Sequence, residues 1–400
     1  MNKIDHNKIE NKLHEIKDYL LGKKIKKDIN LMDGLTGEVL FLAYYSKHFK
    51  YEQVYESIVP RLEKIFHQIN ISQHQPSFAT GISGVIWTIE HLCINDFIDF
   101  DMISLYESTD EYLYKSMISF IKDNNYDYLH GALGIANYFS NRNNVKTISY
   151  LNEFIDLLSE KIVMNSESVN SFGIISHVRS KGKNIGVYNF SLSHGMTSVL
   201  YFLDKCLSIS EFENNYKIKY LIDGILAFYD QNKNYISIYD SFYPSWIGKT
   251  EQIYNSRIGW CYGDLSIALI LLKFKSYYLK KKYKNHAIEL IDNTLKRLNP
   301  EKENIFDAAI CHGSSGLSLL YDDEYLLTND TRYLTASEYW LNHCLDEKQS
   351  EGICSFKTYF GTELKWSNRE GLLEGISGIG LVLLSKLNIK NVQWKECLML

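Results

Sequence analysis

Apolar residues along this 400-residue chain follow two kinds of helical pattern. Segments such as 51–69 and 151–163 place apolar residues at i, i+3 and i+4 among charged ones, which is typical of a helix with one exposed face. Segments such as 265–272 are apolar on nearly every side, which is typical of a buried helix. The two kinds alternate along the chain, so we expect helical hairpins, each with one inner and one outer helix.

A short glycine motif precedes each buried helical segment, and it recurs seven times. A second small residue lies three positions after the first glycine, and this pair permits a tight turn and a close approach of helix ends. Chance matches are the alternative, but the quasi-regular spacing and the apolar run after every pair favour a true repeat. The first glycines are Gly34, Gly81, Gly131, Gly195, Gly263, Gly313 and Gly375, and the second small residues are Gly37, Gly84, Gly134, Ser198, Ser266, Gly316 and Gly378.

The repeat predicts an all-α fold, an α/α toroid of about seven helical-hairpin repeats with seven inner and about seven outer helices. Three stretches lack helical periodicity and alternate like strands. We expect these to be small β-containing insertions at about 161–190, 232–250 and 352–366, the last with a hairpin around FGTE at 360–363. No linker marks a second domain, so residues 1–400 are predicted to form one toroidal domain.

Composition excludes several classes of function. The net charge of −5 and the pI of about 6.2 argue against a protein that binds nucleic acid. The longest apolar runs are too short for a transmembrane segment, and the charged N-terminal stretch is not the pattern of a signal peptide. Seven widely spaced cysteines, with no disulfide framework, indicate a reducing cytoplasm in which cysteines are core residues, metal ligands or nucleophiles.

Alignment of the repeats on their first glycine places three metal-ligating residues in equivalent loops. Cys261 and Cys311 each lie two residues before the glycine of consecutive repeats, and His312 lies one residue before it. Neighbouring loops of a toroid meet at one end, so we expect these side chains to converge. Two thiolates and one imidazole leave the fourth position of a zinc ion open, as in catalytic zinc sites. The alternative is two structural cysteines and a core histidine, which the shared register disfavours.

The same register indicates what such a site would do. Two thiolates offset the charge of zinc, so a substrate thiol can lose its proton there and remain nucleophilic. The loops precede the N-termini of inner helices, where the helix dipole favours the thiolate form. His194 and His130 occupy the register of His312 in two other repeats.

The chain resembles the lanthionine synthetase C-like proteins in the motifs GWCYGD at 259–264 and CHG at 311–313, with SHG at 193–195 and the repeated glycine motifs in support. The resemblance extends from about residue 31 to residue 384. The resemblance implies a toroid with a β-containing lobe. The chain is similar to the stand-alone class I cyclases rather than to the bifunctional synthetases. The resemblance also implies one Zn²⁺ per chain, held by Cys261, Cys311 and His312.

The resemblance implies a zinc-dependent lanthipeptide cyclase, a lanthionine synthetase that forms carbon–sulfur bonds. A cysteine thiolate of a dehydrated precursor peptide adds to dehydroalanine or dehydrobutyrine, which closes a (methyl)lanthionine ring and passes through an enolate. Two alternatives stay open: a zinc-dependent transferase for a thiol such as glutathione, and a peptide-binding scaffold with a structural zinc. A structural zinc would need a fourth protein ligand, for which Cys206 is the candidate.

The resemblance also assigns candidate catalytic residues. The family's catalytic histidine corresponds to His194, which is the expected acid because an imidazole pKa lies near working pH. Its aspartate corresponds to Asp127, which orients His194 or takes the thiol proton. Its arginine corresponds to Arg257, which stabilises the enolate or pairs with a loop carboxylate, and its tyrosine to Tyr262. His130 stands where the family more often has another residue, so its role is open between catalysis and capping or packing.

The expected partners follow from the same resemblance. They are the dehydrated precursor peptide, consisting of leader and core, together with a dehydratase and an exporter. The expected location is the cytoplasm, with peripheral association at the inner face of the membrane.

Overall fold

The computed structural model describes residues 5–71, 74–164, 170–180, 182–249, 251–346, 351–360, 365–387 and 393–400. These residues form sixteen α-helices, two short 3-10 helices and seven strands. The predicted class, a predominantly helical chain with small β-containing insertions, is therefore confirmed.

Seven inner helices each begin one residue after the first glycine of a repeat. They are buried on nearly every side, and every residue of the third is buried, because apolar residues occupy all of its faces. The inner helices are α2 (Leu35–Phe49), α5 (Ile82–Ile94), α7 (Ala132–Phe139), α9 (Met196–Cys206), α11 (Asp264–Lys273), α14 (Ser314–Thr328) and α16 (Ile376–Leu387).

The outer helices are amphipathic, as the sequence predicts. In the helix that begins at Val145, Leu151, Phe154 and Leu158 are buried, and the Asn144 side chain caps the first turn. The outer helices are α1 (His6–Gly22), α4 (Val59–Ile71), α6 (Met102–Lys122), α8 (Val145–Glu160), α10 (Tyr216–Gln231), α12 (Tyr277–Thr294) and α15 (Thr331–Asp346). Shorter elements are α3 (Glu52–Glu56), α13 (Pro300–Glu303) and the 3-10 helices Ser210–Phe212 and Gln393–Leu398.

The chain divides into two compact units. One unit comprises residues 1–109 and 299–398 with Leu400, and the other comprises residues 110–298 with Met399. In the first unit α16 packs against both α14 and α2, and α2 packs against α5, so the last repeat is a neighbour of the first. In the second unit α7 and α11 both pack against α9. Consecutive repeats are therefore neighbours within each unit.

The second unit contains a five-stranded antiparallel sheet with strands in chain order. Its strands are β1 (Ile162–Met164), β2 (Phe172–Ser180), β3 (Lys183–Asn189), β4 (Trp246–Gly248) and β5 (Gln252–Ile253). Asn189 pairs with Trp246, which joins the first two insertions in one sheet. Residues 165–169, 181 and 250 of these insertions lie outside the described residues.

The third insertion, in the first unit, contains β6 (Thr358–Phe360) and β7 (Lys365–Ser367), which pair in antiparallel register. Residues 361–364, which include most of the predicted FGTE turn, lie outside the described residues.

Backbone hydrogen bonds join residues that lie two positions before the first glycines. In the first unit the Cys311 N–H donates to the Leu373 carbonyl at 3.2 Å, and the Leu373 N–H donates to the Met32 carbonyl at 3.1 Å. In the second unit the Ser193 N–H donates to the Cys261 carbonyl at 3.3 Å. Equivalent positions of neighbouring repeats are thus hydrogen-bonded to each other. The loops before the first glycines, which these bonds connect, contain the predicted site residues.

Candidate active site and metal centre

Three of the predicted residues offer soft ligand atoms in one place. Cys261, Cys311 and His312 each contribute one sulfur or nitrogen atom, and these atoms lie within 4.8 Å of one another. Cys261 is only 6% exposed, whereas the other two are partly exposed. Two thiols and an imidazole are donors that zinc prefers, and three protein ligands leave one position for a substrate. The donor set therefore fits a catalytic zinc ion.

The loop that carries Cys261 is fixed by its backbone. Gly263 has a φ of 107°, and a Cβ there would lie 1.8 Å from the Arg257 carbonyl oxygen, so only glycine permits this turn into α11. The Cys261 carbonyl accepts hydrogen bonds from the N–H groups of Leu192 and Ser193. The cysteine loop is therefore attached directly to the loop that precedes His194.

His312 lies beside the carboxyl group of Asp307. Its Nε2 is 3.9 Å from Oδ2 of Asp307, which is almost fully buried. The carboxylate accepts hydrogen bonds from the Ala309 N–H at 3.0 Å and from the Tyr359 N–H of β6 at 2.8 Å. The third insertion therefore holds the carboxylate that faces the predicted ligand.

Asp127 and His194, which are 67 residues apart, form a hydrogen-bonded pair. His194 Nδ1 lies 2.6 Å from Asp127 Oδ2, and the other carboxylate oxygen accepts the His130 N–H at 2.8 Å. The His194 N–H donates to Ser191 Oγ at 3.0 Å. The His194 side chain is 34% exposed and the Asp127 side chain is 22% exposed. Because Nδ1 faces Asp127, Nε2 is the ring nitrogen left for a substrate.

Each member of this pair stabilises the charged form of the other. Burial opposes the charge of Asp127, but the His194 charge and the hydrogen bonds from His194 and His130 outweigh it and lower the pKa of the carboxyl. Burial likewise opposes the imidazolium, but the Asp127 charge and hydrogen bond outweigh it, and they raise the pKa of His194. The arrangement favours a carboxylate beside an imidazolium, which is a proton donor.

Tyr262 is positioned next to this pair. Its hydroxyl accepts a hydrogen bond from Asn189 Nδ2 at 3.3 Å, and Asn189 Oδ1 accepts the Ser191 N–H at 2.9 Å. The tyrosine ring centroid lies 6.3 Å from that of Trp246 in β4 and 6.5 Å from that of His194. Burial raises the pKa of Tyr262 to about 12, so the phenol keeps its proton at neutral pH and can donate a hydrogen bond.

Arg257 lies in the loop before Cys261, and its side chain is exposed. Within the described ranges, its guanidinium has no hydrogen bond or ion pair, so the predicted pairing with a loop carboxylate finds no partner there. An exposed guanidinium in this loop is available to a substrate carbonyl or carboxylate.

Two supporting residues, Asn189 and Asp307, were not predicted from the sequence, although both share a register. Each lies six positions before the first glycine of its repeat, and each side-chain Oδ1 accepts the N–H two residues ahead. A Cβ on Gly195 would lie 2.3 Å from the Asn189 carbonyl oxygen, which is why a glycine is needed there. Polar residues at this register are the signal that could have found them; Asp28 and Asn125 are further examples.

Comparison with known proteins places the chain in a family context. A sequence model of the family described as "Lanthionine synthetase C-like protein" matches residues 26–399. A solved structure named "Nisin cyclase" is similar over 98% of this chain and 97% of that chain, with a TM-score of 0.74 and 20% sequence identity. This likeness shows a shared fold and confirms the predicted α/α toroid.

A second solved structure is a possible member of the GH105 family from Salmonella enterica subsp. enterica serovar Paratyphi A. It aligns over 100% of this chain and 94% of that chain, with a TM-score of 0.40 and 10% identity. That likeness is too weak to support any inference.

Proposed function

We propose a lanthipeptide cyclase activity for this chain, which belongs to the lanthionine synthetase C-like family because the family model spans residues 26–399. The substrate is a precursor peptide that carries cysteine thiols and dehydrated serine or threonine residues. The observation that carries the proposal is the set of two thiols and one imidazole at Cys261, Cys311 and His312. The loop of Cys261 is hydrogen-bonded to the loop of His194, which supports a thiol site and an acid site that act together.

Cys261, Cys311 and His312 would hold one zinc ion. When bound, zinc lowers the pKa of a substrate thiol and holds its sulfur. A purely structural zinc would require a fourth protein ligand. Burial in α9 raises the pKa of the candidate Cys206 to about 12, which disfavours the thiolate that a ligand must supply. The donor set therefore supports a site with an open position.

His194 is the proton donor of this proposal. Its Nδ1 is engaged by Asp127, so Nε2 delivers the proton to the substrate. Asp127 is a poor acceptor for the thiol proton, since its pKa is lowered and both oxygens already accept hydrogen bonds. Of the two roles predicted for Asp127, these contacts support orientation of His194.

The reaction balances without any further reagent. The substrate sulfur forms a bond to the β-carbon, and the electron pair of the carbon–carbon double bond moves onto the α-carbon and its carbonyl oxygen. His194 gives its proton to the α-carbon and regains one from water, while the thiol proton leaves to water. In this proposal Tyr262 and Arg257 bind the substrate carbonyl as negative charge develops, which is supported by the protonated phenol and the exposed guanidinium.

The proposed chemistry requires a dehydratase before this chain, because the electrophile is a dehydrated side chain. The resemblance to the family implies an exporter that acts after ring closure. We propose that these steps occur in the cytoplasm, with this chain associated peripherally with the membrane. Among the described residues, no helix combines the length and the apolar character needed to cross a bilayer.

The test uses purified chain loaded with zinc and a synthetic peptide that contains one cysteine and one dehydroalanine. We expect the alkylatable thiol to disappear without a change in mass, faster than in a reaction without protein. Cys311→Ala should abolish this acceleration, whereas the matched control Cys93→Ala should keep it. Persistence of the free thiol would contradict the proposal. In a parallel reaction with added glutathione, a glutathione adduct formed in place of the ring would support the transferase alternative.

A further inference from the structure

His130 is a histidine of the glycine loops to which the proposed mechanism gives no role. It lies one residue before Gly131, the same register as His194 in the next repeat. Its N–H donates to one oxygen of Asp127 at 2.8 Å, and His194 Nδ1 binds the other oxygen at 2.6 Å. One carboxylate therefore fixes both histidine-bearing loops relative to each other.

The two imidazole rings face one another across a short gap. The ring centroids of His130 and His194 are 6.2 Å apart, and the ring planes differ by only 17°. His130 is exposed and His194 is partly exposed, so a peptide can reach both rings.

The electrophile of the proposed reaction offers two neighbouring atoms that need different groups. Negative charge collects on the carbonyl oxygen as the sulfur adds, and the α-carbon next to that carbonyl then takes a proton. A hydrogen-bond donor on the oxygen lowers the barrier because it stabilises charge that is absent in the ground state. Asp127 holds the imidazole of His194 and the backbone N–H of the loop that carries His130, so the two rings match an acid for the α-carbon and a donor for the adjacent oxygen.

We propose that His130 is a second catalytic side chain, which donates an imidazole N–H to the carbonyl oxygen of the dehydroamino acid while His194 protonates the α-carbon. His130 keeps its proton throughout, and only His194 transfers one. The bond changes are those of the addition itself: a carbon–sulfur bond forms, the double bond is lost, and the carbonyl is restored on protonation. This inference rests on the proposed cyclase function.

The test compares His130→Leu with His130→Gln, two side chains of similar size of which only glutamine offers an N–H donor. His67→Ala, which removes an exposed histidine on α4, is the matched control. With the cysteine–dehydroalanine peptide, we expect His130→Leu to lower kcat by about 10²–10³-fold, as removal of an oxyanion donor does, with KM little changed. His130→Gln should recover about tenfold of that loss, and zinc content and Tm should stay at the control level.

The outcomes separate the inference from the proposed function. Failure of the wild-type protein to cyclise the peptide refutes the cyclase and, with it, this role of His130. Wild-type cyclisation with the same kcat for His130→Leu and His67→Ala overturns the His130 inference alone. Equal losses for His130→Leu and His130→Gln also overturn it, because a packing role does not distinguish a donor from an apolar side chain of the same size.

Discussion

Asp127→Asn changes the charge next to His194 while keeping the size of the side chain. In the wild-type protein both carboxylate oxygens accept hydrogen bonds, from the His130 N–H and from His194 Nδ1. The amide has only one acceptor, so one of these two bonds is lost or reversed whichever way the amide turns. If its NH₂ group faces His194, Nδ1 has to become the acceptor and the imidazolium loses its partner.

The expected size of the effect follows from the bond that is removed. A hydrogen bond to a charged group contributes about 1.5–3 kcal/mol. One pKa unit corresponds to about 1.4 kcal/mol, so the pKa of His194 should fall by about one to two units in the variant. Since the acid form is required, cyclisation is lost as pH rises through this pKa. The wild-type pKa is raised above the ordinary value of 6.5, so the variant should lose activity at lower pH.

The assay measures kcat of peptide cyclisation across the pH range for the wild-type protein, Asp127→Asn and the control Asp123→Asn, which changes an exposed carboxylate next to α6. At pH values above the His194 pKa of both proteins, kcat of the variant should be about 10–100-fold lower than that of the wild-type protein. At pH values below both pKa values, the two kcat values should differ only by the loss that poorer orientation of His194 causes. A ratio of rates that is constant with pH would refute the electrostatic coupling of this pair, as would a descending limb that stays at the wild-type pH.

The remaining predictions address the metal centre and its supports. Cys311→Ala should remove zinc and activity together, measured by metal analysis and thiol alkylation; wild-type zinc content would refute its role as a ligand. Asp307→Asn should weaken zinc affinity by about 10–100-fold, measured by competition with a chelator, because it removes the carboxylate that lies 3.9 Å from the ring of the proposed ligand His312. Asn189→Ala should lower stability by about 1–3 kcal/mol in denaturant titrations and reduce kcat, since it removes the buried support of Tyr262; unchanged stability would contradict this. Arg257→Gln should raise KM for the peptide and leave Tm unchanged, because the exposed guanidinium has no partner among the described residues; a lower Tm would show a structural role instead.

The helical repeat could be predicted because its signal is local. A glycine followed by an apolar run fixes both the turn and the start of a buried helix, and all seven inner helices begin one residue after the glycine that the spacing identified. The register also predicted that Cys261 and Cys311 occupy equivalent points, and their ligand atoms lie together with that of His312. Equivalent positions in a repeat have equivalent surroundings, so alignment of the repeats predicts which residues of different repeats lie close together.

Contacts between unlike registers could not be predicted in this way. Asp127 lies four residues before its glycine and His194 lies one residue before its own, and no periodicity links these positions. Their pairing came from the resemblance to a family. The pairing of Asn189 with Trp246, which joins two insertions in one sheet, depends on strand contacts between segments 57 residues apart in sequence. Short strands of this kind carry too little pattern to specify their partners.

The repeat also explains how one kind of loop holds several kinds of chemistry. The loops that carry Cys261 and His194 are hydrogen-bonded to each other through the Cys261 carbonyl, and the Cys311 N–H is fixed to the next loop in its own unit. The glycine turns are alike before α9 and α14, where Gly195 and Gly313 have φ values of −134° and −107°, whereas Gly263 before α11 has a φ of 107°. The side chains two and one positions before the glycine differ between these loops, although the positions themselves are equivalent. In one repeat these positions supply a thiol, in the next a thiol and an imidazole, and in others a proton donor. The reacting groups are therefore positioned by equivalent loop positions and by backbone hydrogen bonds between neighbouring loops, rather than by a separate scaffold for each group.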